Sequence, residues 1–176
     1  MTDDDTELFT GVFRRCYPNV LAYALRRTDE ARAQDVVAET FAIAWRHVRR
    51  LPDDPLPWLL RTARNCLANE ERSVRRQVRV AGRIADEGAP LTADHASGVT
   101  ESARIRAALR ELPLPDREVL MLLAWDGLDQ RAAAHVLGCT VTAVKVRAHR
   151  ARRRLSHLLA DPQHPSVPLT TAEEPR

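Results

Sequence analysis

The side chains best placed to do chemistry lie between residues 145 and 154. Lys145, Arg147, Arg150, Arg152, Arg153 and Arg154 follow one another there, and no acid occurs anywhere from 130 to 160. Fixed cations at this density do electrostatic rather than covalent work: they hold phosphate oxygens and donate to guanine edges. A basic block at one end of a chain whose net charge is only +3 points to a polyanionic partner, most simply nucleic acid. On charge alone, a solvated basic helix without a partner remains the bland alternative. The other end is acidic, with Asp3, Asp4, Asp5 and Glu7.

Covalent chemistry finds no comparable cluster. The six histidines are scattered, no glycine-rich phosphate loop occurs, and no metal-ligand spacing is present. The expectation is therefore no catalytic residue, no metal, no cofactor and no small-molecule substrate. Cys16, Cys66 and Cys139 are odd in number and far apart. They read as small core residues of a protein from the reducing cytoplasm. No secretory leader and no apolar run near the ~20 residues of a membrane span is found, so no membrane insertion is expected.

The elements that must position these groups are helical. Hydrophobic residues make up 44% of the chain and aromatics 5%, and Ala, Leu and Arg dominate, which favours helix over sheet. The expected fold is all-α: two small helical domains joined by a flexible linker, the second containing a helix-turn-helix. The first domain spans 6–78. Leu8, Phe9, Val12, Phe13, Cys16, Val20, Tyr23 and Ala24 recur at helical spacing, and Pro18 should kink or divide that helix. A second helix follows the caps Thr28 or Asp29, burying Val37, Phe41, Ala44, Trp45 and Val48. After Pro52 and Pro55 a third opens near Pro57, with Trp58, Leu59, Thr62, Ala63 and Cys66 inward. Residues 79–102, interrupted by Gly82, Gly88, Pro90 and Gly98, read as linker. The second domain spans 103–160, with helices over 103–112 and 116–125, and the proline-rich tail 161–176 is expected to be disordered.

Within that second domain, residues 130–150 have helix-turn-helix form. Asp129 caps the first helix, Gly138 suits the left-handed turn, and Thr140 caps the second. Val141, Val144, Ala148, Ala151, Leu155 and Leu158 define its buried stripe. Thr142, Ala143, Lys145, Val146, His149, Arg150 and Arg153 then point largely outward, where such a helix enters the major groove. Arg152 and Arg154 flank it as phosphate contacts, and Arg153 belongs with them.

The run Leu112-Pro113, Arg117-Glu118-Val119-Leu120, Trp125-Asp126-Gly127-Leu128, Val136-Leu137-Gly138-Cys139 and 143–152 resembles region 4 of the extracytoplasmic-function (ECF) sigma factors. Residues 35–41 with Ala44-Trp45, and 58–65, resemble region 2 of the same family. The likeness covers about 150 of the 176 residues and involves two motifs in the right order. It implies a sigma factor, with core RNA polymerase (β′ and β subunits), promoter DNA and an anti-sigma protein as partners. Asp35 and Glu39, four apart on one helix face, would dock on polymerase. Arg61, Arg64 and Asn65 would meet the −10 element, with the short proline-rich loop 50–56 in the place of base capture. Thr142, Lys145, Val146, His149 and Arg150 would read the −35 element, Val146 through a thymine methyl. A stand-alone helix-turn-helix regulator is the alternative function. It would leave the first domain without a task and would require a dimer on a palindromic site.

Overall fold

The computed structural model describes residues 2–80 and 99–160, and all regular structure among them is helical. The order is α1 (Asp3–Leu25), α2 (Glu30–Arg46), a 3-10 turn (Val48–Arg50), α3 (Leu56–Val80), α4 (Val99–Glu111), α5 (Leu114–Ala124), α6 (Gln130–Leu137) and α7 (Val141–Ala160). Most of the expected linker and the whole tail, residues 81–98 and 161–176, lie outside the described residues. Helix α3 runs to Val80 and α4 begins at Val99, so helix enters both ends of the segment read as linker. No described helix is long and apolar enough to cross a membrane.

Helix α1 differs from expectation at two points. It starts at Asp3 rather than near Thr6, because the Thr2 N–H donates to the Asp5 carboxylate at 3.1 Å and closes the first turn. Arg49 donates to both oxygens of Asp5, at 2.7 and 3.0 Å. That guanidinium holds the Asp5 carboxyl well below the usual carboxylate range. The second difference concerns Pro18, which does not divide the helix. Val12 and Cys16 on one side of it and Val20, Tyr23 and Ala24 on the other are buried in a single core, and this packing outweighs the hydrogen bond that proline removes. Leu8 and Phe13, read as part of the apolar face, stay 51% and 37% exposed. Phe13 still lies 4.7 Å from the Phe41 ring, centroid to centroid.

The caps fall where the residue types place them. Asp29 accepts from the Arg32 N–H at 3.0 Å and opens α2, while Asp129 accepts from Ala132 at 2.7 Å and opens α6. Gly138 ends α6 at φ 64°. Thr140 Oγ1 accepts from Ala143 at 3.1 Å and starts α7. Helix α5 begins at Leu114, two residues before the expected Asp116, because Pro115 fits the first turn.

Helices α1–α3 form one group and α4–α7 another, and the two groups touch. Helix α3 packs on α6. One apolar core runs from Val20, Phe41 and Leu60 across to Val119, Leu122, Ala134 and Val144. A second, smaller cluster of Leu109, Leu112, Leu120 and Ala151 ties α4 and α5 to α7.

Candidate nucleic-acid interface

The outward face of α7 is built by burying its opposite side. Val144, Ala148 and Ala151 are sealed against α5 and α6, where Ala133, Ala134 and Val136 are also buried. Thr142, Lys145, Val146, His149, Arg150, Arg152, Arg153 and Arg154 are left exposed, all as the spacing predicts, whereas Ala143 is half-buried. Val146 is 61% exposed, an apolar knob on a basic surface. Lys145, Arg152 and Arg153 form no ion pair with another described residue, so their charge is free for an external anion.

Arg150 and Arg154 are held from below. Asp116, only 1% exposed in the first turn of α5, accepts from Arg150 Nη2 at 3.1 Å and from Arg154. A buried carboxylate gripping two guanidiniums one helical turn apart fixes their stems while about half of each side chain stays in solvent. Sequence reading did not find Asp116, although an acid in the first turn of α5 is a visible signal. Asp116→Asn should lower unfolding stability by about 1–2 kcal/mol and, by freeing the Arg150 and Arg154 side chains, weaken discrimination among DNA duplexes. Urea denaturation and binding to a set of duplexes measure both. An unchanged midpoint with unchanged discrimination would make the contact incidental.

Of the residues expected at the −10 element, Arg61 and Arg64 reach across the junction of the two groups, Arg61 while still exposed. Arg61 donates to the His135 carbonyl at 3.1 Å, in the last turn of α6, where the helix dipole favours a cation. Arg64 forms a fork on Glu118 of α5, Nε at 2.8 Å and Nη2 at 3.4 Å, and the Glu118 hydrogen bond strengthens its hold on the proton. Asn65 remains exposed. The structure thus brings Arg61 and Arg64 to the second helical group, away from the α7 face. Asp35 and Glu39 are exposed on α2, opposite the buried Val36, Val37 and Thr40, and neither pairs with another described residue.

A further contact joins the two groups. Arg26 and Arg27, at the end of α1, both donate to Asp126, the latter at 3.2 Å. The Asp126 side chain is 2% exposed, and Gly127, at φ 67°, turns the chain there. The Arg27 guanidinium also lies 3.6 Å above the Tyr23 ring. Arg26, Arg27 and Asp126 lie outside the apolar periods of the sequence, so no local rule pairs them.

Beneath it, burial pushes the Tyr23 phenol up to about 12 from 10, against the pull of Arg27. Below pH 10 the phenol is neutral in folded and unfolded chains alike. From there up to about 12 only the unfolded chain ionises it, so stability falls through that window, by about 2–3 kcal/mol in full. Tyr23→Phe should remove this share of the alkaline decline, read as the urea midpoint against pH. An undiminished slope would place the effect elsewhere.

The comparisons agree with this geometry. The family model described as Sigma-70 region 2 matches residues 12–79, and that described as Sigma-70, region 4 matches residues 102–155. The chain is 36% identical over 148 residues to the ECF RNA polymerase sigma factor EcfG of Rhodopseudomonas palustris, covering 81% of this chain and 80% of that protein. Among solved structures, the sigma factor RpoE in complex with the anti-sigma factor NepR from Bartonella quintana aligns at TM-score 0.72 and 25% identity, covering 86% of this chain and 96% of that one. CnrH in complex with the cytosolic domain of CnrY aligns at TM-score 0.57 and 28% identity, covering 86% of each. With region 2 and region 4 in order on one chain, and a relative of this identity matched over most of its length, the protein belongs to the ECF sigma factors of the sigma-70 family and directs transcription initiation.

Proposed function

We propose that the chain divides its work as follows. The domain spanning 6–78 attaches to core RNA polymerase through Asp35 and Glu39 and meets the −10 element through Arg61, Arg64 and Asn65. The domain spanning 103–160 reads the −35 element through Thr142, Lys145, Val146, His149 and Arg150, with Arg152, Arg153 and Arg154 on phosphates. No step is chemical: the protein positions polymerase on DNA. The observation that carries this reading is the contrast between two exposed surfaces, an acidic one on α2 and a basic one on α7, set on separate helical groups of one chain. Two weak attachments joined by a tether raise each other's effective concentration.

Arg64 is held by Glu118 and Arg61, though exposed, donates to the His135 carbonyl, so −10 recognition by both requires these contacts across the junction to break. The arrangement described is therefore a closed, non-reading form. Polymerase and promoter draw the chain open, and an anti-sigma protein, the partner bound in one solved relative, is the natural keeper of the closed form.

The test is transcription reconstituted from core polymerase, this chain and a promoter library. Promoter-dependent transcripts that vanish without the chain support the reading, and a core polymerase that ignores it sinks the reading. Arg150→Ala should cost about 1–3 kcal/mol of −35 binding, confined to one base-pair position. A loss equal for all sequences would reduce Arg150 to a phosphate contact.

A further inference from the structure

A cleft of about 430 Å³ opens between the two helical groups, within the range of roughly 300–1,000 Å³ typical of small-molecule sites. Its walls come from both groups: Tyr23, Arg26 and Arg27 at the end of α1, Arg64 on α3, Arg117 on α5 and Arg147 on α7. Five arginines thus face a single lining carboxylate, Glu118. Two of them are spent on Asp126 and one on Glu118 itself. Arg117 and Arg147 have no acidic partner among the described residues.

The polar atoms here are also short of partners. Tyr23 is fully buried, and its hydroxyl has no hydrogen-bond partner. The Nε atoms of Arg26 and Arg117 are likewise buried and unpartnered. Arg117 spends its Nη2 on the carbonyls of Arg110 and Leu112, at 2.7 and 3.4 Å. Burial and the nearby Arg110 weaken its hold on the proton. Three orphaned polar groups around one cleft, under excess positive charge, are a costly arrangement for the protein alone. An anion repairs it, because guanidinium forks match phosphate oxygens. Leu67, Leu114, Met121 and Leu137 supply an apolar wall for the body of such a ligand. A DNA duplex is too large to enter, so the basic lining is not an extension of the α7 surface.

We propose that this cleft binds a phosphorylated small molecule, whose phosphate lies among Arg117, Arg147 and the Tyr23 hydroxyl and whose body rests on the apolar wall. Both walls are needed to form the site, so the ligand favours the closed form and opposes polymerase binding by linkage.

The experiment is calorimetric titration of the full chain with ADP at fixed ionic strength, with adenosine and an acidic peptide as comparisons. One-to-one saturation by ADP is expected, with neither comparison ligand saturating. Tyr23→Phe keeps the ring over Arg27 and removes only the orphaned hydroxyl, so it preserves the fold. It and Arg147→Ala should each weaken ADP binding about 5–10-fold. Arg131→Ala, an exposed cation outside the cleft, should not. Saturating ADP should also reduce affinity for core polymerase. The proposal is overturned if ADP does not saturate, if adenosine binds as well, if the peptide binds in preference, or if Arg131→Ala weakens ADP as much as Arg147→Ala. Each overturning outcome is read on the free chain, whereas the effect on polymerase rests on the proposed function, so failure of the cleft is distinguishable from failure of the sigma assignment.

Discussion

Asp126→Ala should loosen the two helical groups from one another and make the chain a readier partner for polymerase. Among the described residues Asp126 alone is the counter-charge of Arg26 and Arg27, and its side chain is 2% exposed while theirs are 23% and 13% exposed. Removing one partner of a fully buried ion pair costs 3–5 kcal/mol, so a partly wetted clasp should lose about 2–4 kcal/mol. The folded groups can avoid that cost by separating, which rehydrates both arginines. Trp125, already 41% exposed beside the clasp, reports the change: its emission should shift to the red. The radius of gyration should rise, and binding to core polymerase should strengthen, because less work is spent on opening. Adding Glu118→Gln, which weakens the Arg64 fork, should move all three readouts further in the same direction. The apolar contact of α3 with α6 resists both changes. An unchanged radius together with unchanged polymerase affinity in the double variant would show that this apolar contact alone governs closure.

Reversing the charge of Asp35 and Glu39 should have the opposite consequence. Both carboxylates are exposed and unpaired on α2, so Asp35→Arg with Glu39→Arg leaves no orphaned cation behind and should fold normally. If α2 docks as proposed on a basic partner surface, two attractive contacts become repulsive. Affinity for core polymerase should fall about 30–100-fold, equivalent to about 2–3 kcal/mol. Binding of −35 duplex by the same variant should be unchanged, since α7 is untouched. Polymerase affinity equal to that of the parent chain would move the docking face off α2.

The two predictions separate what local pattern can reveal from what it cannot. Helix positions, caps and the exposed face of α7 follow from spacing and residue type, because each is decided within about one turn of chain: Asp29, Asp129 and Thr140 cap the helices they precede, and Val144, Ala148 and Ala151 face inward. Of the two outcomes expected at Pro18, a kink or a division, division does not occur, because tertiary packing on both sides keeps α1 whole, and Leu8 and Phe13 stay exposed because their helical spacing suits a core that does not fully reach them. The cause is the same in each case: period tells which side of a helix is apolar, not how far the neighbouring element extends.

The sequence by itself determined an all-helical chain, a helix-turn-helix with a basic outer face, an acidic patch on α2 and a resemblance to two family regions in order. Tertiary structure alone decided how those parts are spent. Arg64 meets Glu118 across 54 residues of chain, Arg61 meets His135 across 74, and Arg26 meets Asp126 across 100. Asp116 reaches Arg150 across 34. No helical period or capping rule links residues so far apart. Such pairings are selected by which helix faces come together, and by the cost of burying a charge that finds no partner when they do.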